Sequence, residues 1–193
     1  MKPYLLFDFD GTIADSFGLG VEIINKLAPK HNIAPFSEKE LHELRSIPTH
    51  KAIKKLRIPL YKLPILIPLF LHEFKHVLPR LEPFADIRET LMAIRDAGIG
   101  MALLTSNSVE NVNHFLLQHD MWFFDWIEGG SGLFKKQTTI NRQIKKHGLN
   151  RENLIYVGDE TRDIIAAKKS KIKVIAVTWG FHTPQILASY DPD

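Results

Sequence analysis

The sequence predicts an α/β fold, a parallel sheet sandwiched by helices, with a helical segment inserted after the first strand. Three observations predict it. From Leu81 onward, short apolar runs alternate with segments of helical apolar spacing, the pattern of parallel strands joined by crossover helices. A further run, Tyr4 to Phe9, has strand character and belongs to the same sheet. Between them, residues 16 to about 82 are helical in tone, so the sheet is interrupted there and resumed.

Taken in order, Val21 to Leu27, Glu38 to Arg45 and His50 to Leu56 are the helices expected in the insertion. The run Leu63 to Leu71 is apolar but too short to span a bilayer, and it carries two prolines. It reads as a buried or pocket-facing helix of the insertion. Ile87, Leu91 and Ile94 share a helix face over Ile87 to Ala97, and Gly98 stops that helix. Ile99 to Leu104 reads as a strand, Val109 to His119 as a helix, and Trp122 to Ile127 as a short strand. Thr138 to His147 is a helix closed by Gly148. Leu154 to Val157 is a strand, Thr161 to Lys169 a helix, and Val174 to Val177 the last strand.

The first run ends in chemistry. Asp8 and Asp10 lie two residues apart, so a strand reaching Phe9 would place them on one face near its carboxyl end. Open α/β sheets bind ligands at that end. Two adjacent carboxylates repel, and one stays protonated unless a cation sits between them. The pair therefore points to a Mg²⁺ site, an acid–base pair, or both. At the next strand end, Thr105-Ser106-Asn107 offers a hydroxyl and backbone N–H groups that can hold phosphoryl oxygens, although Ser106 or Ser108 also suits a helix N-cap. A third strand runs into Gly158-Asp159-Glu160-Thr161-Arg162-Asp163, where Asp163 stands one helical turn beyond Asp159. Acids at a helix start are also favoured by its dipole. Once these strands lie side by side, Asp159 joins Asp8 and Asp10, and that cluster needs a cation.

Composition narrows the function classes. A chain of 193 residues can bury one core with a modest insertion. It has no cysteine, which excludes disulfides, thiolate zinc sites and cysteine nucleophiles. Net charge is only +3, and the basic clusters at Lys51/Lys54/Lys55/Arg57, Lys145/Lys146 and Lys168/Lys169/Lys171/Lys173 are scattered with few aromatics between them. They read as solvated faces, so neither a nucleic acid nor a membrane is expected as partner. Strand and turn begin almost at Met1 with no signal peptide, and a cytoplasmic enzyme, monomer or homodimer, is the expectation.

The ordered set Asp8-x-Asp10, Thr105, a lysine at 135–136 and Gly158-Asp159-Glu160-x-x-Asp163 resembles the four motifs of the haloacid dehalogenase (HAD) superfamily of phosphohydrolases. The resemblance covers essentially the whole core. It implies a Rossmann-like core formed by residues 1–15 and 83–193, with a small helical cap of the superfamily's first class at 16–82. By that resemblance Asp8 is the nucleophile and Asp10 the acid–base. Thr105, the Ser106 amide and a lysine bind the phosphoryl group, and Mg²⁺ is held by Asp8, Asp10 (through its backbone carbonyl) and Asp159. Asp163 is a direct ligand or orients a metal-bound water. In Phe134-Lys135-Lys136-Gln137, Lys136 is the preferred phosphate partner, although spacing to Gly148 would fit Lys135. An aspartate at position 10 points to phosphatases rather than dehalogenases or phosphonatases. Asp15-Ser16 and Thr178-Trp179-Gly180-Phe181 look most like phosphoglycolate-phosphatase-type members.

The resulting expectation is a Mg²⁺-dependent phosphatase acting on a small phosphorylated metabolite through an aspartyl-phosphate. A sugar-phosphate mutase of β-phosphoglucomutase type and a non-catalytic HAD-like binding protein are the alternatives. His72-Glu73-Phe74-Lys75-His76 also matches H-E-x-x-H, a zinc hydrolase pattern, but no third ligand follows at a familiar spacing.

Overall fold

The computed structural model describes residues 2–55, 58–130 and 135–193. Leu56 at the end of one expected helix, Arg57 of one basic cluster and Phe134 of the third motif lie outside these residues.

Five parallel strands form the sheet: β1 (Tyr4–Phe7), β2 (Gly100–Leu104), β3 (Trp126–Glu128), β4 (Leu154–Gly158) and β5 (Lys173–Ala176), in the order β3-β2-β1-β4-β5. The central strand β1 alternates its side chains between two apolar layers, as strand geometry requires. Leu5 and Phe7 join Phe9, Leu91, Leu103 and Phe115 on one face, while Leu6 joins Leu104, Ile140, Tyr156 and Ile164 on the other. Helices α5 (Ile87–Asp96) and α6 (Val109–Gln118) contribute to the first layer, and α7 (Lys136–His147) and α8 (Thr161–Lys169) to the second.

Before α5, the chain forms α1 (Phe17–Leu27), α2 (Glu38–Arg45), α3 (Thr49–Lys55) and α4 (Leu63–Val77). The start of α2 is fixed by a capping box, in which the Ser37 hydroxyl accepts from the Glu40 N–H and the Glu40 carboxylate accepts from the Ser37 N–H. In α4, Pro68 removes one helix donor, so packing rather than propensity holds this segment. Phe74 and the following Leu78 are buried in the first layer with Ile23 and Leu27 of α1, whereas Ile65 and Ile67 of the same apolar run are exposed.

Several expectations change in detail. β1 ends at Phe7 rather than Phe9, because the backbone turns away once the Asp8 N–H has paired with the Val157 carbonyl (2.8 Å). The strand expected over 122–127 forms only at Trp126–Glu128. A short terminal helix, α9 (Pro184–Ala188), was not expected; its buried Leu187 completes the second layer.

This topology positions the site. The chain runs outward from β1 through β2 to β3, then returns to the opposite side of β1 for β4 and β5. The carboxyl ends of β1, β2 and β4 therefore flank a topological switch point, where α/β sheets leave a crevice. Phe7 is in register with Leu103 and Val157, so Asp8, Thr105 and Asp159 all emerge at that crevice.

Candidate active site

Asp8 is buried, and its carboxylate accepts from the Phe9 N–H (2.9 Å) and from Lys136 Nζ (2.6 Å). Lys136 stands at the first residue of α7 and also donates to Asp163 (2.5 Å). The ammonium thus lies between two carboxylates, and all three groups are almost fully buried. Lys135, one residue earlier, is exposed. Asp159 follows β4 directly, accepting from the Thr12 hydroxyl (3.1 Å) and the Phe181 N–H (2.7 Å). Carboxylate oxygens of Asp8, Asp159 and Asp163 lie within 4.8 Å of one another.

Small residues make this approach possible. A Cβ on Gly11 would stand 2.2 Å from an Asp159 oxygen, and one on Gly180 would stand 2.5 Å from it. Gly11 also has φ +78°, which favours glycine on backbone grounds alone.

Charge is out of balance here. Asp8, Asp159, Glu160 and Asp163 share the site with two cations, Lys136 and Arg162, and Arg162 Nε donates to Glu160 (2.8 Å). Burial pushes the Asp8 carboxyl up to about 6, with Asp163 adding to the rise and Lys136 opposing it. Burial likewise lifts Asp159 well above the usual carboxylate range, reinforced by Glu160, Asp163 and Asp8. Burial acts to lower the Lys136 pKa, but Asp163 and Asp8 more than offset this and hold the ammonium charged. Buried all-oxygen donor groups in this state suit a hard divalent cation, which would restore their ionised forms.

Asp10 lies beyond the end of β1 at Phe7. Its carboxylate accepts from Asn107 Nδ2 (3.2 Å), in the loop before α6, and lines a cavity. Burial raises its pKa, and hydrogen bonds from Ser16 and Asn107 oppose the rise. Its place in the three-carboxylate cluster is taken by Asp163. Thr105 is buried, and its hydroxyl accepts from the Asn107 N–H (3.0 Å). Ser106 lines the cavity beside Asn107.

The cavity has a volume of about 400 Å³, within the range of small-molecule sites. Asp10, Ser106, Asn107, Asp159 and Glu160 border it on the sheet side, and mostly apolar residues of α1 to α4, with Phe36 and Phe181, line most of the rest. A set of contacts missed in the sequence joins the segment 45–49 to the sheet side. Arg45 donates to the carbonyls of Phe181 (2.6 Å) and Gly180 (2.8 Å), and Thr49 donates to Glu160 (3.0 Å). His182 accepts the Thr161 N–H at Nδ1 (3.2 Å), so its Nε2 is the nitrogen that donates to the Ile47 carbonyl (3.0 Å). No local sequence signal could have found these pairs, most of which are more than 110 residues apart.

His72 and His76 lie one turn apart on α4 with their Nε2 atoms 3.3 Å apart, both exposed, while Glu73 is paired with Lys26 (2.6 Å). The three-acid group is the one potential metal cluster of three or more ligands among the described residues, and neither histidine belongs to it.

The raised carboxyls carry a stability prediction. A carboxyl raised to about 6 from the 3.8 of a free side chain makes the folded state bind more protons than the unfolded state between those values. Its contribution to stability therefore falls as pH rises through that window, by about 3 kcal/mol for Asp8 alone. Asp10 and Asp159 act in the same direction. MgCl₂ should accordingly raise the melting temperature by several degrees at pH 7.5 and by little at pH 4.5. A metal-induced shift independent of pH, measured by scanning calorimetry, would contradict this electrostatic reading.

The chain is similar to known proteins over nearly its whole length. The family model for haloacid dehalogenase-like hydrolases matches residues 5–177. A phosphoglycolate phosphatase of Synechococcus elongatus is 29% identical over 190 residues, spanning 98% of this chain and 90% of the relative. Another, from Agrobacterium fabrum, is 28% identical over 100% of this chain and 87% of the relative. Among solved structures, a protein of Bacteroides fragilis described as a haloacid dehalogenase-like hydrolase superposes with a TM-score of 0.86 at 22% identity, covering 100% of this chain and 95% of that one. A Thermotoga maritima protein described as a β-phosphoglucomutase reaches a TM-score of 0.70 at 20% identity, covering 100% and 92%, and so shares the fold. No helix among the described residues is long and apolar enough to cross a membrane.

Proposed function

The chain belongs to the haloacid dehalogenase-like hydrolase family, and from that premise we propose that it is a Mg²⁺-dependent phosphatase acting on a small phosphate monoester through a phosphorylated Asp8. One observation carries the reading: the Asp8 carboxylate is held by Lys136 within 4.8 Å of Asp159 and Asp163 oxygens, and Asp159 in turn borders a cavity sized for a small molecule. The names of the relatives make phosphoglycolate the first substrate to test.

Asp8, Asp159 and Asp163 would hold the metal, together with the Asp10 backbone carbonyl. When bound, Mg²⁺ supplies positive charge that offsets repulsion between an anionic nucleophile and an anionic substrate. Asp8 attacks phosphorus in line, the ester oxygen leaves, and the chain carries an acyl phosphate. Lys136, Thr105 and the Ser106 amide stabilise charge on the phosphoryl oxygens. Asp10, whose raised pKa suits proton donation, protonates the departing alkoxide. It then takes a proton from the water that attacks the acyl phosphate, releasing inorganic phosphate and regenerating Asp8. Residues 16–82 act as a cap over the core of 1–15 and 83–193, excluding bulk water and contacting the remainder of the substrate. The lining of the cavity by α1, α2 and α4 supports that division.

Phosphate release from a panel of monoesters with and without MgCl₂ tests the function. The expectation is metal-dependent release, and failure on every monoester would leave the non-catalytic alternative in its place. Isomerised product without free phosphate would favour the mutase. Asp10→Asn tests the acid–base role: kcat should fall by roughly 10² to 10⁴ for alkyl phosphates. The loss should be smaller for nitrophenyl phosphate, whose leaving group needs little protonation, so equal losses on both substrates would count against Asp10.

A further inference from the structure

We propose that the alcohol portion of the substrate is apolar and uncharged, an alkyl or arylalkyl group rather than a carboxylate-bearing one; this rests on the phosphatase reading. Beyond the polar end at Asp10, Ser106 and Asn107, the cavity is bounded by the rings of Phe17, Phe36, Phe70, Phe74 and Phe181, with aliphatic side chains of α1 and α2 between them. No Lys, Arg or His occurs among the described residues that line it. The charged groups that do line it are Asp10, Asp159 and Glu160, all acidic.

A second anionic group on the substrate would thus lose its hydration against aromatic rings, gain no cationic partner there, and face like charge. Burying a charge without a partner is strongly unfavourable. Arg45 and Arg162 are held close to the lining without belonging to it, and Arg162 is paired with Glu160. Arg45 has its guanidinium carbon 4.9 Å from the Phe17 ring centroid, and its Nε and one terminal nitrogen are engaged by the Phe181 and Gly180 carbonyls. Size points the same way. A two-carbon acid would leave most of a cavity of about 400 Å³ to water held against apolar walls, whereas an aryl or longer alkyl group would fill it.

The test uses the wild-type chain with MgCl₂ and a series of primary-alcohol phosphates: ethyl, butyl, hexyl and benzyl phosphate, with phosphoglycolate alongside. Because the leaving oxygen is alike along the alkyl series, differences in kcat/KM report burial of the alcohol portion. The expected result is an increase of about fourfold per methylene until the cavity is filled. Benzyl phosphate should exceed phosphoglycolate by at least about tenfold, the direction set by burying a ring against leaving a charge unpaired. A flat alkyl series, or phosphoglycolate turned over faster than butyl and benzyl phosphate, would overturn this inference while leaving the phosphatase reading intact. Phosphate release from none of the compounds would overturn the phosphatase reading, and this inference with it.

Discussion

Asp8→Asn is expected to reduce turnover by at least about 10⁴, the scale seen when a covalent nucleophile is removed. The amide is nearly isosteric with the carboxylate but cannot attack phosphorus. The variant should nevertheless fold, and without metal at pH 7.5 its melting temperature should equal or exceed that of the wild type. The reason lies in the site's charge: burial and Asp163 already disfavour the ionised Asp8 carboxyl, enough to raise its pKa to about 6. A neutral side chain removes that penalty, while Lys136 retains Asp163 as a partner at 2.5 Å. The stabilisation conferred by MgCl₂ should shrink together with activity, because a ligand is lost. A folded Asp8→Asn preparation that keeps its phosphatase activity would remove Asp8 from the mechanism.

Lys136→Met should damage stability and catalysis together. The ammonium is buried between Asp8 and Asp163, so its removal leaves two carboxylates without their principal cation. Breaking a buried ion pair from one side costs about 3–5 kcal/mol, or a fall in melting temperature of roughly 10 °C for a chain of this size. The cost should shrink below about pH 6, where Asp8 takes up a proton. Rates should fall by roughly 10² to 10³ as charge on the phosphoryl group loses a preorganised partner. Lys135→Met, by contrast, alters an exposed side chain and should stay within about twofold of wild type in both measurements. Equal effects of the two substitutions would show that burial beside Asp8 does not set the role of Lys136.

Much of this site could be read from short segments because its residues sit at strand ends. Asp8, Thr105 and Asp159 each follow an apolar run, and parallel register brings the ends of such runs together without further information. The choice between Lys135 and Lys136 could not be read locally. It depends on which residue of the first turn of α7 faces β1, and the structure turns Lys136 inward. The hydrogen bond from Asn107 to Asp10 was equally out of reach, since it joins residues 97 apart in sequence. The contacts of Arg45, Thr49 and His182 were invisible, since each pairs residues far apart in sequence through ordinary polar side chains. The cavity lining was equally hidden. Phe17, Phe36, Phe70, Phe74 and Phe181 carry no pattern in the sequence, and only the tertiary packing of α1, α4, the turn before α2 and the loop after β5 gathers them.

The central claim is that phosphoryl transfer passes through Asp8 in two in-line displacements. Each displacement inverts configuration at phosphorus, so the two together restore it. The direct measurement is the stereochemical course of transfer, using a monoester made chiral at phosphorus with oxygen isotopes and an alcohol as acceptor in place of water. The account predicts net retention. Net inversion would mean that the acceptor attacks the substrate itself, and it would contradict a phosphorylated Asp8 whatever the variants show.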